Sequence, residues 1–428
     1  MRPETEPAID DRTGTDGPRG TERALADHAK AASAPAKPGA AWTRHPRLVL
    51  PRPGPLRRLR RKLRRWRNEL TSIVAERRKS PRMDGYPVHV NLNHTTICNL
   101  RCTMCAQGLY DVPQQIMEPE VYFRIRDELF DHISEISLTV MGDPFCVPKP
   151  FMAQVLDDVE RHDLRLEITT NATLLGDDEE LERLARVVNK MVISFDGSTK
   201  EVFERVRVRA NWERTVRNIE RFRDVRRSLP FFRRPLTYFN YVLMRSNLDD
   251  LPGFIELGHQ WDAYSITASP AIAVHPSMAP EILDFEGDAH VREVLQRCVD
   301  LAAGYGIVFT VPGVRLPRPT ARPSLAMRAK RALSPWRPTL TQGLNYLAQK
   351  AGQRFKLAQR ECGFLWQKAY LQIDGKVSTC CHHQFIVTGE LSEQPFGEIW
   401  NGETYRELRA TLNTDRVKSP CDTCYLLR

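Results

Sequence analysis

Three cysteines within eight residues, Cys98-x3-Cys102-x2-Cys105, carry the clearest chemistry in this 428-residue sequence. Three thiolates on one tight loop bind three irons of a [4Fe-4S] cluster and leave the fourth iron open. A zinc knuckle on the same loop would need a fourth ligand nearby, and His94 is the residue placed to serve. A second set lies near the C-terminus: Cys362, Cys380 and the pair Cys421-x2-Cys424. Four thiolates make a closed metal site that either zinc or an iron–sulfur cluster satisfies. Clustered spacing of this kind points to metal rather than to disulfides. Cys146 and Cys298 stand apart and read as packing, and Cys381 is left over beside Cys380.

The loop needs a frame. From Tyr86 to about Thr310 strands and helices alternate. Apolar patterning predicts strands at Val88–Asn93, Glu135–Val140, Arg165–Thr169, Lys190–Phe195, Leu236–Met244 and Ala263–Thr267. Helical periodicity falls at about 118–131, 150–162, 177–187, 199–228, 248–259 and 287–304. Repeated strand–helix units imply an α/β fold, a parallel sheet with helices outside, open or closed into a barrel. Chemistry in such folds gathers at the C-terminal ends of the strands, and Cys98 directly follows the first. Residues 311–360 read as a Pro- and Arg-rich bridge with a helix at about 338–358. Residues 361–428 read as a small module with a hairpin, Ala369–Ile373 and Val377–Cys380, around Asp374-Gly375.

The cysteine loop after the first strand of this fold resembles the radical S-adenosylmethionine (SAM) family. Further motifs match that family in order. Met141-Gly142-Asp143-Pro144 resembles its Gly-Gly-Glu-Pro motif, with Met for the first Gly and Asp for Glu. Thr169-Thr170-Asn171-Ala172-Thr173 resembles the Thr-Asn-Gly stretch, and Ser194-Phe195-Asp196-Gly197 the Ser-x-Asp-Gly motif. The resemblance implies a partial (β/α)6 radical SAM barrel over 85–310, with a cluster held by Cys98, Cys102 and Cys105. It implies SAM contacts from Gly142, Asp143, Asn171, Ser194 and Asp196, with Met104 over the adenine and Arg207 on the SAM carboxylate. It also implies cleavage of SAM to a 5′-deoxyadenosyl radical that abstracts hydrogen. Cys362, Gly375, Cys380, Ile399-Trp400-Asn401 and the terminal CxxC are similar to the SPASM/twitch module of that family. This implies a second, auxiliary [4Fe-4S] cluster on Cys362, Cys380, Cys421 and Cys424. Relatives of this type oxidise or epimerise sugars and aminocyclitols, or mature peptides. The substrate expected here is a sugar-like or other small natural product, with a peptide or protein as the alternative. Flavodoxin or ferredoxin is the implied electron donor. Cys146 beside the pocket reads either as packing or as a hydrogen-atom donor, and His275 either as a loop residue or as a base.

Charge is confined to one segment. Residues 43–84 carry 15 Lys and Arg against 3 Asp and Glu, whereas residues 85–428 carry 42 against 43. A nucleic-acid-associated iron–sulfur protein is the alternative of a different class, and the neutral body speaks against it. Residues 1–54 are poor in large apolar side chains and read as a disordered tail. Within 55–84, Leu56, Leu59, Leu63, Trp66, Leu70, Ile73 and Val74 repeat at three and four. They predict a basic amphipathic helix whose apolar stripe covers the barrel and whose Arg face is free for an acidic partner, RNA or an anionic membrane. No apolar run approaches the ~18 residues of a membrane span, and no secretion signal is read, so the expected location is cytoplasmic.

Overall fold

Strands form where branched apolar residues alternate with polar ones. They are β1 (His89–Leu92), β2 (Glu135–Leu138), β3 (Arg165–Thr170), β4 (Val188–Ser194), β5 (Leu236–Leu243) and β6 (Ser265–Pro270). The computed structural model describes residues 39–44, 53–138, 141–320, 362–380, 386–417, 419 and 421–424. Neighbouring strands from β1 to β6 are parallel and follow chain order. One set of side chains, including Val90, Leu92, Ile136, Leu138, Ile193, Phe239 and Tyr241, is 0% exposed. These pack in the core with residues of the helices such as Ile125, Val155, Leu181 and Phe254. The alternate set, including Asn91, Thr169, Ser194, Asn240 and Thr267, is half-buried and forms the other face of the sheet, its inner wall.

The sheet is open and longer than six strands. β7 (Val308–Thr310) adds parallel to β6 at one edge. At the other edge β8 (Lys368–Leu371) pairs parallel to β1, and β9 (Lys376–Ser378) and β10 (Val387–Glu390) follow antiparallel. The C-terminal module therefore continues the barrel's own sheet. Gly375 closes the β8–β9 turn at φ +87°, a conformation costly for other L-residues. The helix expected near 338–358, and Cys381, lie outside the described residues.

Three expectations are corrected. First, the span 199–228 is two helices, Lys200–Val206 and Trp212–Ser228. Between them the carbonyls of Val206 and Val208 accept the N–H groups of Thr103 and Arg101 at 3.0 Å each. A continuous helix would keep those carbonyls for itself.

Second, the segment 1–54 holds an anchor. Ala40–Arg44 is a short helix, and Trp42 is 2% exposed, edge-on to Phe151 at 4.5 Å. Its indole Nε1–H donates to the Met117 carbonyl at 2.6 Å. Trp42→Ala should lower stability by about 3–5 kcal/mol in denaturant unfolding. An unchanged midpoint would show that the anchor contributes nothing. Truncation through residue 54 should carry the same loss.

Third, the basic helix Pro55–Arg77 packs the other way round. Of the expected stripe Ile73 is buried, but Leu56, Leu59, Leu63, Trp66, Leu70 and Val74 are exposed, whereas Arg61, Arg65, Asn68, Glu69 and Ser72 are buried. The helix crosses the N-terminal end of the sheet, where chain entering each strand leaves carbonyls that need donors. Arg65 donates to Phe130 and Asp163 at 2.8 and 2.9 Å, and Arg61 to Arg161 at 3.1 Å. Asn68 donates to the Tyr86 carbonyl at 3.0 Å and accepts the Tyr86 N–H at 2.7 Å. Leucine cannot satisfy such carbonyls, so the polar face wins the interface.

Candidate active site

The cysteine loop leaves β1 and runs over the C-terminal end of the sheet. Its backbone is held by the Val206 and Val208 carbonyls and by a short helix, Ala106–Leu109, that starts on Cys105. N–H groups point at the sulfurs. Leu100 N lies 3.5 Å from Cys98 Sγ, Asn171 Nδ2 3.8 Å from the same atom, and Arg207 Nη1 4.0 Å from Cys102 Sγ. Burial raises the Cys98 thiol and pushes Cys102 up to about 12. Ligation by either as a thiolate would require a metal to replace the proton, and these donors would then offset the buried negative charge.

Arg207 is 5% exposed and pairs with Asp196 at 2.6 Å. Asp196 Oδ1 also accepts the Val242 N–H at 2.6 Å, which ties the ends of β4 and β5 together. Among the described residues the Nε of Arg207 is buried without a hydrogen-bond partner. An anionic group beside the cysteine loop would satisfy it, and that fits thiolates, a cluster or a carboxylate.

Asp143 is 2% exposed, and its carboxylate accepts Thr170 Oγ1–H and Asn171 N–H at 2.8 Å and Phe145 N–H at 3.0 Å. It thus braces the loop after β2 against the loop after β3. Gly142 lies so close to the loop after β1 that an added Cβ would sit 2.4 Å from the Ile97 carbonyl oxygen. Only glycine permits that approach. Ala172 has φ +60° where the motif it resembles has glycine. The side chain costs about 1 kcal/mol in that conformation.

Asn171, Asn99 and Thr173 form a network. Asn171 Nδ2 donates to Asn99 Oδ1 at 3.0 Å, and Asn99 Nδ2 donates to Thr173 Oγ1 at 2.8 Å. Cys146 Sγ lies 3.6 Å from Asn99 Oδ1. Burial, then the charges of Asp143 and Cys98, push its thiol up to about 12. Cys146 therefore sits at the level of the cysteine loop. Asn99 was missed in the sequence, and its only signal is its place next to Cys98. Met104 packs on Val206, Met244 and Met278. Ser194 is on the inner wall in register with Asn240. His275 caps the helix Pro276–Glu281, accepts from Ser277 Oγ at 2.8 Å and meets the Tyr110 ring at 5.6 Å. Cys298 is 0% exposed in the core.

His94 is 1% exposed and stacks on Phe151, its ring nitrogens 3.4 and 3.5 Å from the Leu92 and Pro144 carbonyls. Burial holds it neutral, with its pKa lowered from 6.5 to about 4. Between those values the unfolded chain binds the proton and the folded one does not, so stability falls as pH drops through this window. The loss is of order 3 kcal/mol. Chemical unfolding at pH 7 and pH 4.5 measures it, and His94→Gln should flatten the dependence. A slope unchanged by the substitution would exclude His94 as its source.

In the C-terminal module the four thiols influence one another. Cys421 is pushed up to about 12 by burial first, then by Cys380, Cys362 and Cys424. Asn413 clamps the Cys362 backbone, accepting its N–H at 2.9 Å and donating to its carbonyl at 3.0 Å. Asn401, after Trp400, does the same for Met83 at 2.8 and 3.0 Å. Among the described residues no three of these groups already converge on a common ligation point.

Residues 92–258 match the radical SAM superfamily, and residues 362–425 match SPASM, an iron-sulfur cluster-binding domain. The chain belongs to the radical SAM superfamily. Among curated proteins, this radical SAM chain is 24% identical over 343 residues to the AdoMet-dependent heme synthase of Methanosarcina barkeri, spanning 77% of this chain and 86% of the relative. It is 33% identical over 111 residues to the tungsten-containing aldehyde ferredoxin oxidoreductase cofactor-modifying protein of Pyrococcus furiosus, 25% of this chain and 30% of the relative. Its fold is similar to that of SuiB from Streptococcus suis bound to S-adenosylmethionine, with TM-score 0.55, 15% identity, and 83% and 74% of the two chains covered. It is also similar to anSMEcpe with bound AdoMet, with TM-score 0.54, 14% identity, and 80% and 88% covered. As a radical SAM enzyme with a SPASM domain, it uses SAM and two [4Fe-4S] clusters.

Proposed function

We propose that this enzyme oxidises a small polar natural product, sugar-like in its hydroxyl content, inside the barrel. Cys98, Cys102 and Cys105 hold the cluster that binds SAM, and Cys362, Cys380, Cys421 and Cys424 hold the auxiliary one. When bound, these groups supply a carbon radical that removes a substrate hydrogen atom and an acceptor for the electron left behind. Arg207 and Asp196 fix the cluster loop and the ends of β4 and β5. Asp143 fixes the loop of Gly142, whose backbone faces the SAM ammonium in this reading. Asn171 and Ser194 offer hydrogen bonds to SAM, and Met104 an apolar contact.

The observation that carries the substrate class is the inner wall. Asn91, Ser137, Glu167 and Lys190 lie in register across β1 to β4. Ser194, Asn240 and Thr267 lie in register across β4 to β6. Lys190 closes the wall's lower end by pairing with Glu167 at 3.0 Å. Such a surface favours hydroxyls and amides, because an apolar ligand would leave groups such as Asn91 Nδ2, buried without a partner among the described residues, unpaired. The wall runs on into β8 of the module, with Tyr370 in register with Asn91. The iron-sulfur cluster-binding domain that this module matches supports electron transfer rather than hydrogen return in this reading. A peptide is the second reading, favoured by the fold shared with SuiB, which has been solved bound to precursor peptide SuiA.

The redox outcome is tested in D2O. Oxidation leaves no solvent deuterium at the reacting carbon. Epimerisation through a thiol leaves one, because thiol protons exchange. One deuterium in the product, lost together with inversion in Cys146→Ala, would replace the oxidative reading by an epimerase with Cys146 as hydrogen donor. His275, beside Tyr110 at the rim, is then tested as a base by the pH profile of His275→Gln.

A further inference from the structure

The basic helix presents to solvent the face that an amphipathic helix ordinarily buries. Leu56 is 75% exposed, Trp66 57%, and Leu59 and Leu63 55% each. The row from Leu56 to Val74 is about 27 Å long at 1.5 Å per residue. Arg60, Arg64 and Arg67 flank it on one side and Arg58 and Lys62 on the other, and all five are exposed. Neither acid of the helix lies on this face, since Glu69 bonds Ser134 and Glu76 bonds Gln367. The helix lies across the residues that enter β1, β2 and β3, through Tyr86, His132 and Asp163. Phe231 and Phe232, 49% and 63% exposed, lie just before β5 at the same end of the sheet, followed by exposed Arg233. The cysteine loop is at the opposite end.

We infer that this end of the barrel docks flat on an anionic lipid surface. A helix lying in a bilayer interface needs Leu and Trp directed inward and Lys or Arg at headgroup level. Here the opposite face is fixed to the protein, so the orientation is set before contact. RNA would engage the arginines and leave the leucine row in water. The positive charge of residues 43–84 against a neutral body is the complement of an anionic leaflet. Docked in this way, the catalytic mouth opens away from the bilayer and receives substrate from the aqueous side.

The test is flotation of the full-length, cluster-loaded protein with vesicles of phosphatidylcholine alone or mixed with phosphatidylglycerol. The protein should float with the mixed vesicles and stay behind with the neutral ones. Leu63→Glu/Trp66→Glu should abolish flotation. Arg60→Gln/Arg64→Gln/Arg67→Gln should weaken it about a hundredfold. All five side chains are exposed and remote from the cysteine loop, so melting and SAM cleavage should be unchanged. Absence of flotation on the mixed vesicles overturns the inference. So does a concentration-dependent dimer dissolved by Leu63→Glu, which would assign the face to a second copy. RNA binding lost in the arginine variant, without vesicle binding by the wild type, would assign it to nucleic acid.

Discussion

Replacing Cys98, Cys102 and Cys105 together by Ala should leave about four of roughly eight irons per chain and abolish SAM cleavage. The remaining four would be those held by Cys362, Cys380, Cys421 and Cys424, in a module whose Trp400, Tyr405 and Arg409 are fully buried. The hydrogen bonds of Tyr405 and Arg409 run to Ser378, Leu365, Pro81 and Trp400, none of them on the cysteine loop, so the auxiliary cluster signal in electron paramagnetic resonance should persist. Iron analysis and detection of 5′-deoxyadenosine read the two effects independently. A variant that still cleaves SAM would place the reducing cluster elsewhere.

The second large effect is at the Arg207–Asp196 pair. Asp196 is 0% exposed and Arg207 5%, so each depends on the other. Burial pushes the Asp196 carboxyl up, and Arg207 and the Val242 N–H pull it back down. Asp196→Asn keeps the shape and leaves the guanidinium without its counter-charge, at a cost of about 3–5 kcal/mol. Loss of the pair also frees the loop whose Val206 and Val208 carbonyls hold the cysteine loop, so SAM cleavage should fall with stability. Asp196→Asn/Arg207→Gln should regain much of the stability and none of the cleavage, which separates the two roles. Unfolding midpoints that differ little among the wild type and both variants would contradict a pairing role.

Local signals made much of this architecture legible. The first six strands fall where apolar alternation places them, because each buries one face under helices and presents the other to the inner wall. The β8–β9 turn is announced by Asp374-Gly375, since the turn chemistry is local. What was illegible depends on partners distant in sequence. The stripe of the basic helix reads as core-facing by periodicity alone. Its real neighbour is a row of carbonyls before β1, β2 and β3, which Arg61, Arg65 and Asn68 can bond and leucine cannot. Trp42 sits among Ala, Gly and Pro and gives no periodic signal, yet its indole fits a pocket made by Tyr122 and Phe151. The break after Val206 follows from hydrogen bonds to a loop about a hundred residues earlier. Within the site the residue types were readable, but Asp143 as a brace and Asn99 as a hub were not. Each is defined by backbone that folding brings to it.

The central claim is radical cleavage of SAM by this chain. The direct measurement is 5′-deoxyadenosine formed by the anaerobically reconstituted full-length protein with SAM and a low-potential reductant. Formation that depends on reductant and on bound iron, at more than one turnover per chain, is the predicted result. A protein carrying both clusters that forms no 5′-deoxyadenosine, with methionine release equally absent, would contradict it.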